Sequence, residues 1–150
     1  MSKLERLRKL SIRDLALLSQ LIGCACAVAI ALRVMGWRRL SQSILVRSRG
    51  KWARHLPWFH FNYEIERLVP LVDIAAGRFP RNRCLVRSML MLWLLRTRGE
   101  PAEVVLGVRK RAGTFEAHAW TSSARGPVGE SAEAIADFAI MTGTGTYKEL

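Results

Sequence analysis

Cys84, His118 and Glu130 are the residues of this chain whose types, order and spacing suit covalent chemistry. A cysteine attacks a carbonyl carbon as its thiolate, which forms near neutral pH where hydrogen-bond donors or cations surround the sulfur. Cys84 opens C-L-V-R-S-M-L-M-L-W-L-L-R-T-R-G (84–99), a run free of Gly and Pro until its end. This predicts a helix over 84–98 with Asn82 as its cap and Arg96, Arg98 and Gly99 closing it. The unpaired N–H groups and the positive dipole end of such a helix stabilise a thiolate, and Arg81, Arg83 and Arg87 add cationic surroundings. His118 sits in the alternating stretch T-F-E-A-H-A-W-T-S, with Glu116, His118 and Trp120 on one face of a strand and Phe115, Ala117 and Ala119 on the other. Glu130 follows twelve residues later, on a predicted short third strand V-G-E beyond the turn A-R-G-P. A neighbouring antiparallel strand would set its carboxylate beside the imidazole and orient the ring. Taken singly, each has a plainer reading: an inert core thiol, a satisfied structural histidine, a solvated turn acid. Their joint placement is what points to a cysteine hydrolase.

These groups need a scaffold, and the surrounding residues predict one. A-E-V-V-L-G-V-R-K after Glu100-Pro101 is rich in β-branched residues and reads as a strand. R-A-G is a hairpin-sized connection to the His118 strand, and S-A-E-A-I-A-D-F-A-I-M reads as a closing helix capped by Ser131. Upstream, N-Y-E-I-E-R-L-V-P-L-V-D-I-A-A-G has helical spacing, with Pro70 as a kink or break and Gly77 as its stop. Helices first, then an antiparallel meander and a last helix, make an α+β chain. The expected organisation is one domain over 1–150: a helical part (1–79), a catalytic core (80–141) and a tail (142–150).

At 150 residues, with half of them hydrophobic and 24% charged, the chain can bury a core, which excludes disorder. Its net charge of +12 is polarised. Residues 1–54 hold twelve basic and two acidic residues, whereas from Pro127 onward four acids face one lysine. Such a molecule is expected to meet something anionic at one end. Three cysteines suit a reducing cytoplasm better than a disulfide framework.

Residues 3–13 read as a basic amphipathic helical start. Leu15 to Leu32 then run 18 positions without a charge, about 27 Å as a helix. Three readings stand open: a helix buried in a helical subdomain, a membrane-associated helix, or a signal peptide. Basic residues at both ends allow peripheral contact with anionic lipid under the first two. Residues 36–54 carry no acid and read as a short helix followed by a loop ending near Gly50.

The remaining candidates are weaker. Cys24 and Cys26 lie about 200° apart around a helix and cannot chelate one ion together. His55 and His60 flank L-P-W-F with no further ligands for zinc. The basic stretch with Trp37 and Trp52 reads as a solvated surface, or a dock for an acidic partner or lipid, rather than a nucleic-acid site.

C-L-V-R-S, the following L-x-x-R-G-x-P-A spacing, L-G-V and F-E-A-H-A-W resemble, in the same order, the leader peptidases of lasso-peptide biosynthesis, a transglutaminase-like, papain-like cysteine peptidase family. The resemblance covers residues 80–130 firmly and the amino-terminal helices in character. It favours the buried-helix reading of 15–32, because that family often carries an apolar helical amino-terminal part. Thr121-Ser122-Ser123 departs from the Val-Glu of many relatives. The resemblance implies a nucleophile helix packed on a small antiparallel sheet, with Cys84 as nucleophile, His118 as general base and Glu130 as the third member. It implies removal of the leader from a ribosomally made precursor, in concert with a leader-recognition protein and an ATP-dependent macrolactam cyclase. No metal or cofactor is needed for the cut. The competing expectation is a non-catalytic basic adaptor that docks a precursor peptide or a membrane surface.

Overall fold

The hairpin that carries His118 is made by two ten-residue strands, β1 (Ala102–Arg111) and β2 (Thr114–Ser123), paired antiparallel from Ala102↔Ser123 to Arg111↔Thr114. Only Ala112 and Gly113 join them, with φ of 49° and 83°. Positive φ at both central residues matches a primed two-residue turn, whose twist suits the strands; glycine takes one of these positions without strain. The structure, a computed structural model, describes residues 10–50, 55–58 and 60–143. Of the predicted amphipathic start, residues 3–9 lie outside the described residues.

Three helices precede the hairpin: α1 (Ile12–Arg47), α2 (Ile65–Ala76) and α3 (Arg83–Thr97). Short 3-10 turns at His60–Asn62 and Pro80–Asn82 lead into α2 and α3. Ser11 begins α1 with a reciprocal capping box: its hydroxyl accepts from the Asp14 N–H, and the Asp14 carboxylate accepts from the Ser11 N–H. At Gly36 (φ 75°, ψ 167°) α1 kinks, so it is two helical segments joined by an elbow. Pro70 does not end α2. The twelve-residue helix runs through it, although the proline has no N–H to offer, and Gly77 follows its last residue. Packing outweighs that missing bond: Leu68, Leu71, Val72, Ala75 and Ala76 are all buried.

α3 is the centre of the molecule. Met89, Leu90, Met91, Leu92, Leu94 and Leu95 are buried, so no solvated stripe remains along the middle of the helix. It packs against α1 and α2 and against β1 and β2. Leu17, Leu21, Leu68, Val72, Val86 and Val104 close the same core. Each such side chain contributes about 1.5–3 kcal/mol by leaving water, which is why one helix can be held rigidly enough to aim its first turn.

Two expectations for the carboxy-terminal third fail. The third strand, β3, is only Gly126–Pro127, paired with β2 at Ser122 and Ser123, so it falls on the predicted turn and V-G-E lies wholly beyond it. The closing helix is a single turn, α4 (Ala132–Ile135), capped as expected by the Ser131 hydroxyl, which accepts from the Ala134 N–H. Residues Ala139–Gly143 form a strand instead, β4, antiparallel to β1, and the sheet order is β3-β2-β1-β4. The far edge of β1 would otherwise present a row of unpaired backbone groups; pairing it with β4 satisfies them.

Candidate active site

Cys84 occupies the second residue of α3, and its thiol lies against the open edge of β2. Because β3 covers β2 only at Ser122 and Ser123, that edge is uncovered by β3 at Ala119. The sulfur faces the His118 ring and the Ala119 and Leu85 N–H groups, all of which favour its thiolate form. The ring has the largest effect and lowers the thiol pKa from its ordinary 9.0, the two N–H groups lower it further, and burial opposes them. Asn82 precedes the helix without a side-chain capping bond, and Arg81 and Arg83 are exposed. A ring and two backbone N–H groups, rather than those two arginines, are what lower the thiol pKa.

His118 stands opposite Gly107 in the hairpin register. Its Nε2 is 2.8 Å from Glu130 Oε2, which leaves Nδ1 for the sulfur. The thiol first, then Glu130, favour the protonated ring, and together they outweigh burial and push its pKa from 6.5 to about 9. The three residues singled out in the sequence thus meet, with one geometric correction. Glu130 does not reach the ring from a third strand; it hangs from the loop between β3 and α4, one residue before the cap of α4.

What holds that loop is Arg87. One turn after Cys84, its Nη1 donates to Glu130 Oε1 at 2.9 Å, its Nη2 to the Gly129 carbonyl at 2.9 Å, and its Nε to Asp73 Oδ1 of α2. Gly129 has φ of 71°, and a Cβ there would lie 2.5 Å from Arg87 Nη2. The loop thus needs a residue without a side chain at this position. In the sequence Arg87 reads only as local positive charge; the i, i+3 spacing to Cys84 puts both on one helical face and carried the signal for more. Asp73 lies in another helix and left no such trace.

Aromatic groups wall the ring. Trp120 is buried, with its ring centroid 6.1 Å from that of His118, and Phe138 stands 5.5 Å away on the chain leading into β4. A Cβ on Gly107 would meet Trp120 ring carbons at 2.8 Å and Phe138 Cβ at 2.9 Å, so the glycine makes room for both. The guanidinium of Arg109 covers Phe138 at 4.4 Å. Phe138 was hidden by its reading as part of a closing helix.

The other histidine and cysteine candidates stay apart from this cluster. His60 is buried, its Nδ1–H donating to the Pro57 carbonyl at 2.6 Å and its Nε2 3.2 Å from the Thr97 hydroxyl. Cys24 and Cys26 lie on α1. Among the described residues no group of three or more His, Cys, Asp and Glu side chains could hold a metal ion.

A nucleophile-type side chain at a helix start, a ring on a strand and an acid beyond it form a chain of charge in this order: thiol, imidazole, carboxylate, guanidinium. No curated protein and no solved structure matches the chain. The model of the transglutaminase-like superfamily matches residues 22–143, most of the molecule and all of this site, and the chain belongs to that superfamily, which includes cysteine peptidases.

Proposed function

We propose that this protein is a cysteine peptidase that removes the leader from a ribosomally made lasso-type precursor, with Cys84 as nucleophile, His118 as general acid and base, and Glu130 as the orienting acid. The single observation that supports it most is the 2.8 Å contact between His118 Nε2 and Glu130 Oε2 on a ring whose other side serves the thiol. The Cys84 thiolate attacks the scissile carbonyl carbon, and N–H groups of the first turn of α3 receive the developing oxyanion. The C–N bond breaks as protonated His118 gives its proton to the leaving amine, which departs as the amino terminus of the core peptide. Neutral His118 then takes a proton from water, the hydroxide attacks the thioester, and the leader leaves as a free carboxylate. The thiolate and the protonated ring are regenerated, so the cycle consumes one water and no cofactor.

Assignment of the substrate rests on the motif order over residues 80–130, which resembles that of lasso leader peptidases. In this reading a leader-recognition protein presents the precursor, and a separate ATP-dependent cyclase closes the macrolactam. The test is mass spectrometry of a short precursor encoded beside this protein's gene, incubated with the protein and its recognition partner. Cleavage at the leader–core junction by the native protein and none by Cys84→Ala is expected. Cleavage retained by Cys84→Ala would overturn the reading.

A further inference from the structure

The first segment of α1 has two apolar faces, and the protein covers one of them. Leu17, Leu18, Leu21 and Ala25 join the core with α2 and α3. The opposite stripe, Ile12, Leu15, Ser19, Gly23, Cys26, Ile30 and Val34, recurs every three or four residues and is exposed except for half-covered positions beside it. It carries no charge from Leu15 to Leu32, about 27 Å of helix. Ile30 and Val34 are 64% and 79% exposed. A helix on the surface of a soluble domain normally turns a charged face outward. Only 28% of the most apolar 18-residue window of this helix, which is long and apolar enough to cross a membrane, is buried.

The ends of the stripe are cationic. Arg13 and Arg33 flank it, and beyond the Gly36 elbow Arg38, Arg39, Arg47 and Arg49 are exposed. From Leu15 to Tyr63 the chain has no Asp or Glu. At the elbow and beyond it one open face of the helix carries Met35 and Val46 together with Arg39, Arg47, Gln42 and Ser43. Two guanidinium groups and two neutral polar groups beside two exposed apolar side chains match a phosphate ester with the start of an acyl chain.

We propose that α1 seats the protein on the surface of an anionic bilayer, its outer stripe at the acyl boundary and its arginines on lipid phosphates. Charge complementarity selects the occupant: a sheet of phosphates answers an acid-free arginine border. The helix docks without crossing. The Asp14 carboxylate is buried and paired with Arg67 of α2 at 2.9 Å, and Gln20 Oε1 accepts from the Trp58 N–H at 2.6 Å. Moving the segment into hydrocarbon would strip the core of Leu17 and Leu21 and strand that carboxylate. This inference is independent of the proposed peptidase activity.

Full-length protein is sedimented with vesicles of phosphatidylcholine alone, or of equal parts phosphatidylcholine and phosphatidylglycerol. It should pellet with the anionic vesicles, remain in solution with the neutral ones, and be released by high salt or alkaline carbonate. The Ile30→Glu, Val34→Glu double variant should lose binding while circular dichroism and the thermal midpoint hold. The Arg38→Gln, Arg39→Gln variant, altered only at exposed side chains, should bind roughly thirtyfold more weakly. Protein left in solution with anionic vesicles overturns the proposal, as does retention after carbonate, which indicates a spanning helix. Undiminished vesicle binding by both variants also overturns it. So does a native oligomer that the Glu variant converts to monomer with vesicle binding unchanged, which assigns the stripe to a second copy of the chain.

Discussion

Arg87 Nη1 holds Glu130 Oε1 at 2.9 Å. The acid that faces the His118 ring is thus fixed by the helix that carries Cys84, one turn beyond it. Both ends of the site are referenced to one rigid element, so a shift of α3 moves sulfur and carboxylate together. The arginine is nearly buried and uses Nε, Nη1 and Nη2 on Asp73, Glu130 and Gly129, a fork that an ammonium cannot copy.

Arg87→Ala should therefore destabilise the fold by about 1–3 kcal/mol, because it removes the partner of the part-buried Asp73 and Glu130 carboxylates and of the Gly129 carbonyl. Arg87→Lys should fold, with a smaller loss, but with the loop of Glu130 loosened. Urea unfolding measures the first effect, and the kcat of the lysine variant against a cleavable precursor measures the second. Unchanged stability in Arg87→Ala would mean that the arginine does not hold the loop.

The thiol–ring pair sets a pH window. The His118 ring is raised from 6.5 to about 9, and the Cys84 thiol is lowered from 9.0. Below about 9 the ring keeps the proton that the leaving amine needs, so kcat/KM should fall as pH rises through about 9. The same shifts enter stability. The contribution of His118 is complete below 6.5 and fades as pH rises through about 9. That of Cys84 is complete above 9.0 and fades as pH falls through its lowered folded value. An alkaline limb near 6.5 would show a ring free of both partners.

Glu130→Gln removes the charge that helps to keep the ring protonated while preserving its size. The alkaline limb should move to lower pH and kcat should drop, by analogy with orienting acids elsewhere by about 10⁴-fold at most. A pH–rate profile of this variant identical to that of the native protein would remove Glu130 from the site.

Alkylation separates an activated thiol from ordinary ones within a single chain. Cys84 should react with iodoacetamide near neutral pH faster than Cys24, whose pKa is raised by burial. Peptide mass spectrometry after brief exposure gives the site-by-site rates. The preference should vanish in His118→Ala, since the ring is the largest influence on the sulfur.

Gly107→Ala should damage the site without touching it chemically. The new Cβ would lie 2.8 Å from Trp120 ring carbons and 2.9 Å from Phe138 Cβ, so the aromatic wall beside His118 must shift. Overpacking of this kind costs about 1–3 kcal/mol. A thermal melt should show the loss together with reduced turnover; a neutral result would mean that the wall yields freely.

Residue order alone carried the helix of Cys84, the hairpin of His118, the turn at Ala112–Gly113 and the Ser131 cap, because each depends on neighbours within a few positions. Periodicity and turn chemistry are local properties and can be read along a line. It also carried the identities of the three groups that meet, since a thiol at a helix start and a ring on a strand are local features too. Folding in three dimensions decided the rest. β4 exists because β1 has an edge to satisfy, and Ala139–Gly143 has no strand signal strong enough to announce it. Glu130 hangs from a loop because Arg87 grips it across 43 positions of chain. Pro70 stays inside a helix because burial outweighs one missing hydrogen bond. For the run from Leu15 to Leu32, composition says apolar, but only the packing of α2 and α3 against Leu17 and Leu21 says which face is covered and which is left bare. Partners distant along the chain settle such questions, and their positions are a property of the packed molecule.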